Sequence, residues 1–167
     1  YVDSWKSDRL KAPNGVLENL GVHYIDMAFS LSGNIEDIHK ATSNVAGTGT
    51  NSDTATIFCN HTNGSTSHIF ISYASSLREE MYFTFEQGDI SYDGKVLNLY
   101  FPTKSFNKNG LSVRPPIALT EIIYSQTAYR HSVTTCIGQF IKVVLNEGKF
   151  SHDLSKQSEI VVSAMLK

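Results

Sequence analysis

Residues 53–73 read DTATIFCNHTNGSTSHIFISY: two alternating runs, 53–60 and 66–73, flank a polar turn built on Asn63-Gly64. Strand side chains point alternately to opposite faces, so each run offers one row for burial and one for solvent. Asn-Gly accepts the positive φ of a tight turn, so the two runs fold back on each other as an antiparallel hairpin. Downstream the pattern continues. Residues 79–86 (EEMYFTFE) alternate again, and Asp93-Gly94 joins the short runs 88–92 and 95–101 into a second hairpin. Residues 34–43 mix Ile and Thr with charges, as an edge or half-exposed strand does. Such a meander makes an antiparallel sheet with one face packed and the other free.

Helical periods flank the strands. Between Gly15 and Ser32, Val16, Leu17, Leu20, Tyr24, Met27, Ala28 and Leu31 recur at three- and four-residue steps, the mark of an amphipathic helix. Pro13-Asn14 supplies its start and Gly33-Asn34 its stop. Residues 1–14 are polar and read as a loop, as do the Pro-, Asn-, Lys- and Gly-rich residues 102–116. Residues 118–147 carry a helical pattern in one or two pieces, clearest from Val133 through Ile137, Phe140, Ile141 and Val144, with Gly148 ending it. Asp153 is the expected N-cap of a last helix through Ile160, Val161, Ala164 and Met165. The expected fold class is α+β: a mostly antiparallel open sheet with helices on one face, the other face free for oligomer contacts. Residues 1–167 are read as a single domain, without repeats or low-complexity tracts.

Composition narrows the function classes. A hydrophobic share of 41% supports a packed core, and a formal charge of −2 argues against a nucleic-acid binder, which needs clustered Lys and Arg. Cys59 and Cys136 are too few for a disulfide framework and lack metal-ligand spacing, which points to a reduced compartment, the cytoplasm. No run of about 18 apolar residues spans a membrane. Asn60-His61-Thr62 and Asn63-Gly64-Ser65 match the glycosylation pattern, and without a secretion signal both read as chance. The chain opens on Tyr1, as a piece of something longer would.

One constellation carries chemistry. Asn19 and His23 lie four residues apart and share a helix face, opposite the apolar stripe, with Asp26 three residues further on. A histidine suits proton transfer near neutral pH, and an amide beside it orients a hydroxyl or carboxylate without competing for the proton. The plainer reading of a lone helical histidine is a hydrogen-bonded boundary residue. Gly47-Thr48-Gly49 lacks the third glycine of a phosphate cradle and reads as a turn. His61 and His68 sit near the hairpin tip and read as solvated; His131 and His152 lie near helix starts without a partner in sequence.

The stretch GVLENLGVHYIDMAFSLSG, residues 15–33, resembles the signature of the Gfo/Idh/MocA oxidoreductase family: a glycine-rich turn, Leu-x-Asp-x-Gly-x-His-x-x-Asp, then an apolar helix ending in Gly. Upstream, Ser4-Trp5-Lys6, Lys11 and the Asn14-Gly15 turn resemble the branch that oxidises C3 of UDP-N-acetyl-glucosaminuronic acid, in which Asn replaces the first Asp. Asn19 matches that replacement, His23 the family histidine and Asp26 the trailing aspartate. The chain departs from the branch at Asn14, where a glycine is usual, and at Glu18, where a small polar residue is usual; Lys11 is one position out of register.

The resemblance implies a two-domain dehydrogenase whose Rossmann half, outside these residues, binds NAD or NADP and carries a catalytic lysine. By the same resemblance His23 is the catalytic base, Asn19 and Lys11 contact the sugar or nucleotide-sugar substrate, Trp5 lies near the cofactor, and no metal is needed. A homodimer or homotetramer through the free sheet face is expected, with Tyr82, Phe83, Leu97 and Leu99 exposed for it. Alone, the 167 residues are expected neither to bind NAD tightly nor to turn over. The alternative is a non-catalytic binding or assembly domain that kept the fold.

Overall fold

The computed structural model describes residues 4–76, 79–104, 106–145, 148–149 and 152–166. A 3-10 turn at Trp5–Ser7 and a π turn at Leu17–Gly21 lead into α1 (Val22–Ser32). Seven strands follow: β1 (Ile35–Ser43), β2 (Thr54–His61), β3 (Thr66–Ser72), β4 (Met81–Phe85), β5 (Gly88–Tyr92), β6 (Val96–Tyr100) and β7 (Ile117–Ile122). The chain closes with α2 (Ser125–Val144) and α3 (His152–Leu166). The fold is α+β with antiparallel sheets, and the chain divides into two units, residues 1–76 with 151–167, and residues 77–150.

In the first unit the hairpin of residues 53–73 forms as its alternation requires, and β1 joins it to give the order β1-β2-β3. Ala55, Ile57 and Cys59 of β2 make one buried row, with Ile71 beside them on β3. Ile35 and Ile38 pack against that same face although they are three positions apart, an odd step. The ladder shifts register between Ile35 and Asp37, and the bulge restores the phase. Leu17, Ile25, Val161 and Met165 cover this face from the π turn, α1 and α3. Each fully buried aliphatic side chain contributes about 1.5–3 kcal/mol relative to exposure. Burial pushes the Cys59 thiol up to about 11, so it behaves as a core hydrophobe rather than a nucleophile. Phe58 and Phe70, on the opposite face, stay 40% and 62% exposed.

The loop between β1 and β2 closes on a buried carboxylate. Asp53 accepts the backbone N–H groups of Val45 and Ala46, each at 2.9 Å, and the Thr54 hydroxyl at 2.8 Å. Burial alone would raise its pKa, but these three donors outweigh it and hold the group below its ordinary value. His61 corrects the expectation of a solvated ring. It is 2% exposed, with Nδ1 2.9 Å from the Gly33 carbonyl and Nε2 2.8 Å from the Ser67 hydroxyl. A carbonyl only accepts, so Nδ1 donates and Nε2 receives the Ser67 proton. The ring thereby ties the end of α1 to the sheet. His68 is exposed, as expected for the hairpin.

The second unit is a meander, β4-β5-β6-β7. Asp93 makes its turn by accepting from the N–H groups of Lys95 and Val96, which lower its pKa. Residues 117–122 form β7, not the start of a helix: Ile117 and Leu119 find cross-strand partners in Tyr100 and Leu99. The helix begins only at Ser125 and ends at Val144; residues 146–147 of the expected span lie outside the described residues. The ladder places Phe83, Ile90, Leu99 and Leu119 in one row, with Leu97 on the same face. Tyr82 pairs with Ser91 and so points to the other face, which separates it from Phe83, Leu97 and Leu99. Among the described residues of this unit only Gly88 is buried. Residues 102–104 and 106–116 form an irregular loop containing one short bridge, Phe106 to Ser112. α3 begins at His152, so Asp153 lies inside its first turn rather than at its cap. No helix among the described residues is long and apolar enough to cross a membrane.

Candidate functional site

All four residues singled out for chemistry belong to the first unit, on two consecutive segments. The first is residues 4–15, a polar stretch that forms no strand or long helix of its own. Its 3-10 turn is capped by the Ser4 hydroxyl, which accepts the Lys6 N–H at 3.3 Å. The segment is fastened to the loop before β2 by Asn51, a buried residue whose amide donates to the carbonyls of Lys6, at 3.1 Å, and of Ala12. The Gly15 backbone, at φ +59°, lies so close that an added Cβ would stand 2.3 Å from the Ser52 carbonyl oxygen. Only glycine meets both demands.

The second segment is the helix itself. Glu18 reaches back to accept from the backbone and side-chain N–H groups of Asn14, at 3.2 and 2.8 Å, and so holds the first turn. Leu17–Gly21 then winds as a π turn, which takes one residue more than an α turn. Its consequence is a shift of the buried stripe. The expected row ran through Tyr24 and Ala28; the fully buried residue is Ile25, one position further, with Tyr24 and Phe29 half-buried against the core on either side of it. Leu31, at the end of the expected stripe, is exposed. Gly21 sits on the buried side, where a Cβ would meet Leu17 and Ile71 side chains at 3.2 and 3.4 Å.

Asn19 and His23 occupy the row that the buried stripe leaves outside, one turn apart. His23 is exposed. The Asn19 side chain is half-buried, and its Nδ2 is shut off from solvent with no hydrogen-bond partner among the described residues. A buried donor left unpaired costs about 1–3 kcal/mol, so this amide gains from any acceptor that reaches it. Asp26 is spent elsewhere: it accepts from Gln157 of α3 at 2.8 Å, and the same amide donates to Ser30. It locks α1 to α3.

Trp5 is 51% exposed, with the Lys6 ammonium 5.9 Å from its ring and 5.5 Å from that of Tyr73. Lys11 is exposed and pairs with Asp8 at 3.5 Å. Among the described residues no hydrogen bond or ion pair joins Trp5 or Lys11 to Asn19 or His23. Sequence reasoning missed Asn51, which fastens the Trp5 segment, and the π turn, which sets the helix phase. A lone loop asparagine carries no pattern, and a period read at 3.6 tolerates one extra residue unnoticed. Chemically, the helix face offers a proton acceptor and a donor one turn apart, enough to hold a hydroxyl and remove its proton.

Comparison with known proteins follows the same segments. The profile of the family described as GFO/IDH/MocA C-terminal domain matches residues 1–91. D-apiose dehydrogenase of Paraburkholderia graminis is 29% identical over 142 residues, 80% of this chain and 36% of that protein. An oxidoreductase from Agrobacterium radiobacter, solved with NAD+, L-tartaric acid and magnesium, superposes with a TM-score of 0.65 at 22% identity, over 95% of this chain and 51% of that one. UDP-N-acetylglucosamine 3-dehydrogenase from Acidithiobacillus ferrooxidans gives 0.63 at 17%, over 90% of this chain and 47% of that one. At those identities the solved structures speak to the fold alone. The chain spans 36% of the curated relative and about half of each solved one.

Proposed function

The chain belongs to the Gfo/Idh/MocA C-terminal-domain family, and from that premise we propose that it is the substrate-binding and oligomerisation domain of an NAD(P)-dependent sugar dehydrogenase. The observation that carries this reading is the pairing of an open imidazole, His23, with a buried and unmatched amide, Asn19, on one helix of the matched region. A sugar alcohol group fits that pair. Once the amide turns outward, the alcohol oxygen accepts from Asn19 Nδ2, which relieves the orphaned donor, and the alcohol proton passes to a ring nitrogen of His23. Nicotinamide, when bound, supplies the hydride acceptor for the hydrogen leaving the same carbon. Two electrons and one proton leave with that hydrogen and the second proton resides on His23, so the alcohol becomes a carbonyl.

For the cofactor, the fit is partial. Trp5 presents an exposed indole face that a flat ring can lie against, and the segment carrying it is fixed by Asn51. The sequence has no GxGxxG, and among the described residues no strand, glycine-rich turn and helix form the unit that holds a dinucleotide pyrophosphate in such enzymes. That part of the cofactor would be held outside them, with a second proton-transfer group beside it.

A nucleotide sugar of the UDP-N-acetyl-glucosaminuronic acid type is the substrate suggested by Asn19 in place of the family aspartate. A free sugar such as that of the D-apiose enzyme is the competing choice, favoured by the departures at Asn14 and Glu18. Assembly into a dimer or tetramer is proposed through the second unit, whose apolar row stays open. The test is formation of reduced nicotinamide by the whole protein across a panel of nucleotide sugars and free sugars. Absence of any reduction would sink the enzymatic reading and favour a domain used only for binding or assembly.

A further inference from the structure

A cavity of the first unit lies apart from the Asn19–His23 pair. It is a depression of about 410 Å³ between the 4–15 segment, β1 and the loop before β2, within the range of about 300–1,000 Å³ usual for small-molecule sites. Two cations line it, Arg9 and Lys40, and no carboxylate does. The nearby acids are engaged elsewhere: Asp8 with Lys11, Glu18 with Asn14. Lys40 is held at the wall because its ammonium donates to the Met165 carbonyl, a bond that uses one of its three hydrogens. The Arg9 guanidinium has no ion-pair or hydrogen-bond partner among the described residues. Thr50 accepts the Arg9 backbone N–H at 3.0 Å, which leaves its own hydroxyl hydrogen to donate. Thr42 and Ser52 add hydroxyls to the lining.

Two positive charges without a counter-ion among the described residues, set among hydroxyl groups, describe a receptor for a negatively charged and hydroxyl-rich molecule. We infer that this depression binds the oxyanion group of a small sugar derivative, either the phosphoryl group of a sugar phosphate or the carboxylate of a sugar acid. Arg9 reads the oxyanion in bidentate fashion, Lys40 supplies the second charge, and Thr42 and Thr50 donate to the remaining oxygens. Neither His23 nor Asn19 lines the depression, so the site goes beyond the dehydrogenase reading and stands or falls separately.

The experiment is calorimetric titration of the chain, without NAD(P), with glucose 6-phosphate, glucuronate and glucose in parallel. At least one charged sugar saturates, about tenfold or more tighter than glucose, and added NaCl weakens it. The tighter of the two charged sugars identifies the oxyanion. Arg9→Gln, an exposed substitution, weakens the charged sugar by about tenfold and leaves the melting temperature unchanged. Thr42→Val weakens it less. Charged sugars that bind no tighter than glucose, or unchanged affinity in a normally melting Arg9→Gln chain, would overturn the inference. Because no turnover is measured, either result leaves the His23 chemistry to its own test.

Discussion

In the proposed reaction Asn19 and His23 divide one task between an amide and an imidazole. At neutral pH an amide donates and accepts hydrogen bonds but takes no proton, so Asn19 can orient a hydroxyl and cannot deprotonate it. Its unmatched Nδ2 is a cost to the free protein, which a substrate oxygen would remove in the proposed complex. Asn19→Ala in the whole enzyme therefore raises KM by about tenfold while turnover changes much less, because the contact is made in the ground state as well as the transition state. Steady-state kinetics over a range of substrate concentrations reads the split. A fall in turnover with KM unchanged would assign Asn19 to the transition state instead. The pattern Asn-x-x-x-His was legible in sequence as two polar residues on one face. That the amide is sealed and unmatched was not, because its burial depends on the neighbouring packing.

The elements show where local pattern suffices and where packing decides. Both hairpins followed from alternation and from Asn63-Gly64 and Asp93-Gly94, turn chemistry that is contained within a few residues. β7 did not. Its six residues are all exposed, and their strand form rests on pairing with β6, some 20 residues earlier. The helix over 15–32 was legible, but its phase beyond Gly21 was set by the π turn. His61 looked like a hairpin-tip residue, and only the approach of the Gly33 carbonyl makes it a buried tie.

The loop before β2 closes on the single charge of Asp53. The folded pKa of Asp53 is depressed, so its contribution is present above the ordinary value of 3.8 and is lost as pH falls through the lower folded value. Asp53→Asn melts below wild type at neutral pH, and the gap narrows as acid is added below 3.8. Thermal melts of both chains across the acid range check this. A gap that stays constant would mean that the carboxylate charge does not hold the loop.

For the whole molecule, the contrast between the two units matters most. The first has its own core under α1 and α3; the second buries only Gly88 among its described residues and leaves an apolar row across four strands. That row, half-buried at Phe83, Ile90 and Leu99 and exposed at Leu119, is where the proposed second copy of the chain would pack. Light scattering is expected to report a dimer or larger assembly. Leu119→Lys, at a position 55% exposed, should shift it toward monomer without lowering the melting temperature. A clean monomer at high concentration would remove the assembly role.

The claim at the centre of the account is that the helix of residues 17–32 presents a proton acceptor to a sugar hydroxyl during nicotinamide-dependent oxidation. Turnover of the whole protein, wild type beside His23→Ala, with a melt on each, tests it most directly. The account predicts a fall in turnover of roughly 10²–10⁴-fold, with substrate affinity and melting temperature little changed, since a positioned base acts mainly in the transition state. Wild-type turnover in a normally folded His23→Ala enzyme would contradict it.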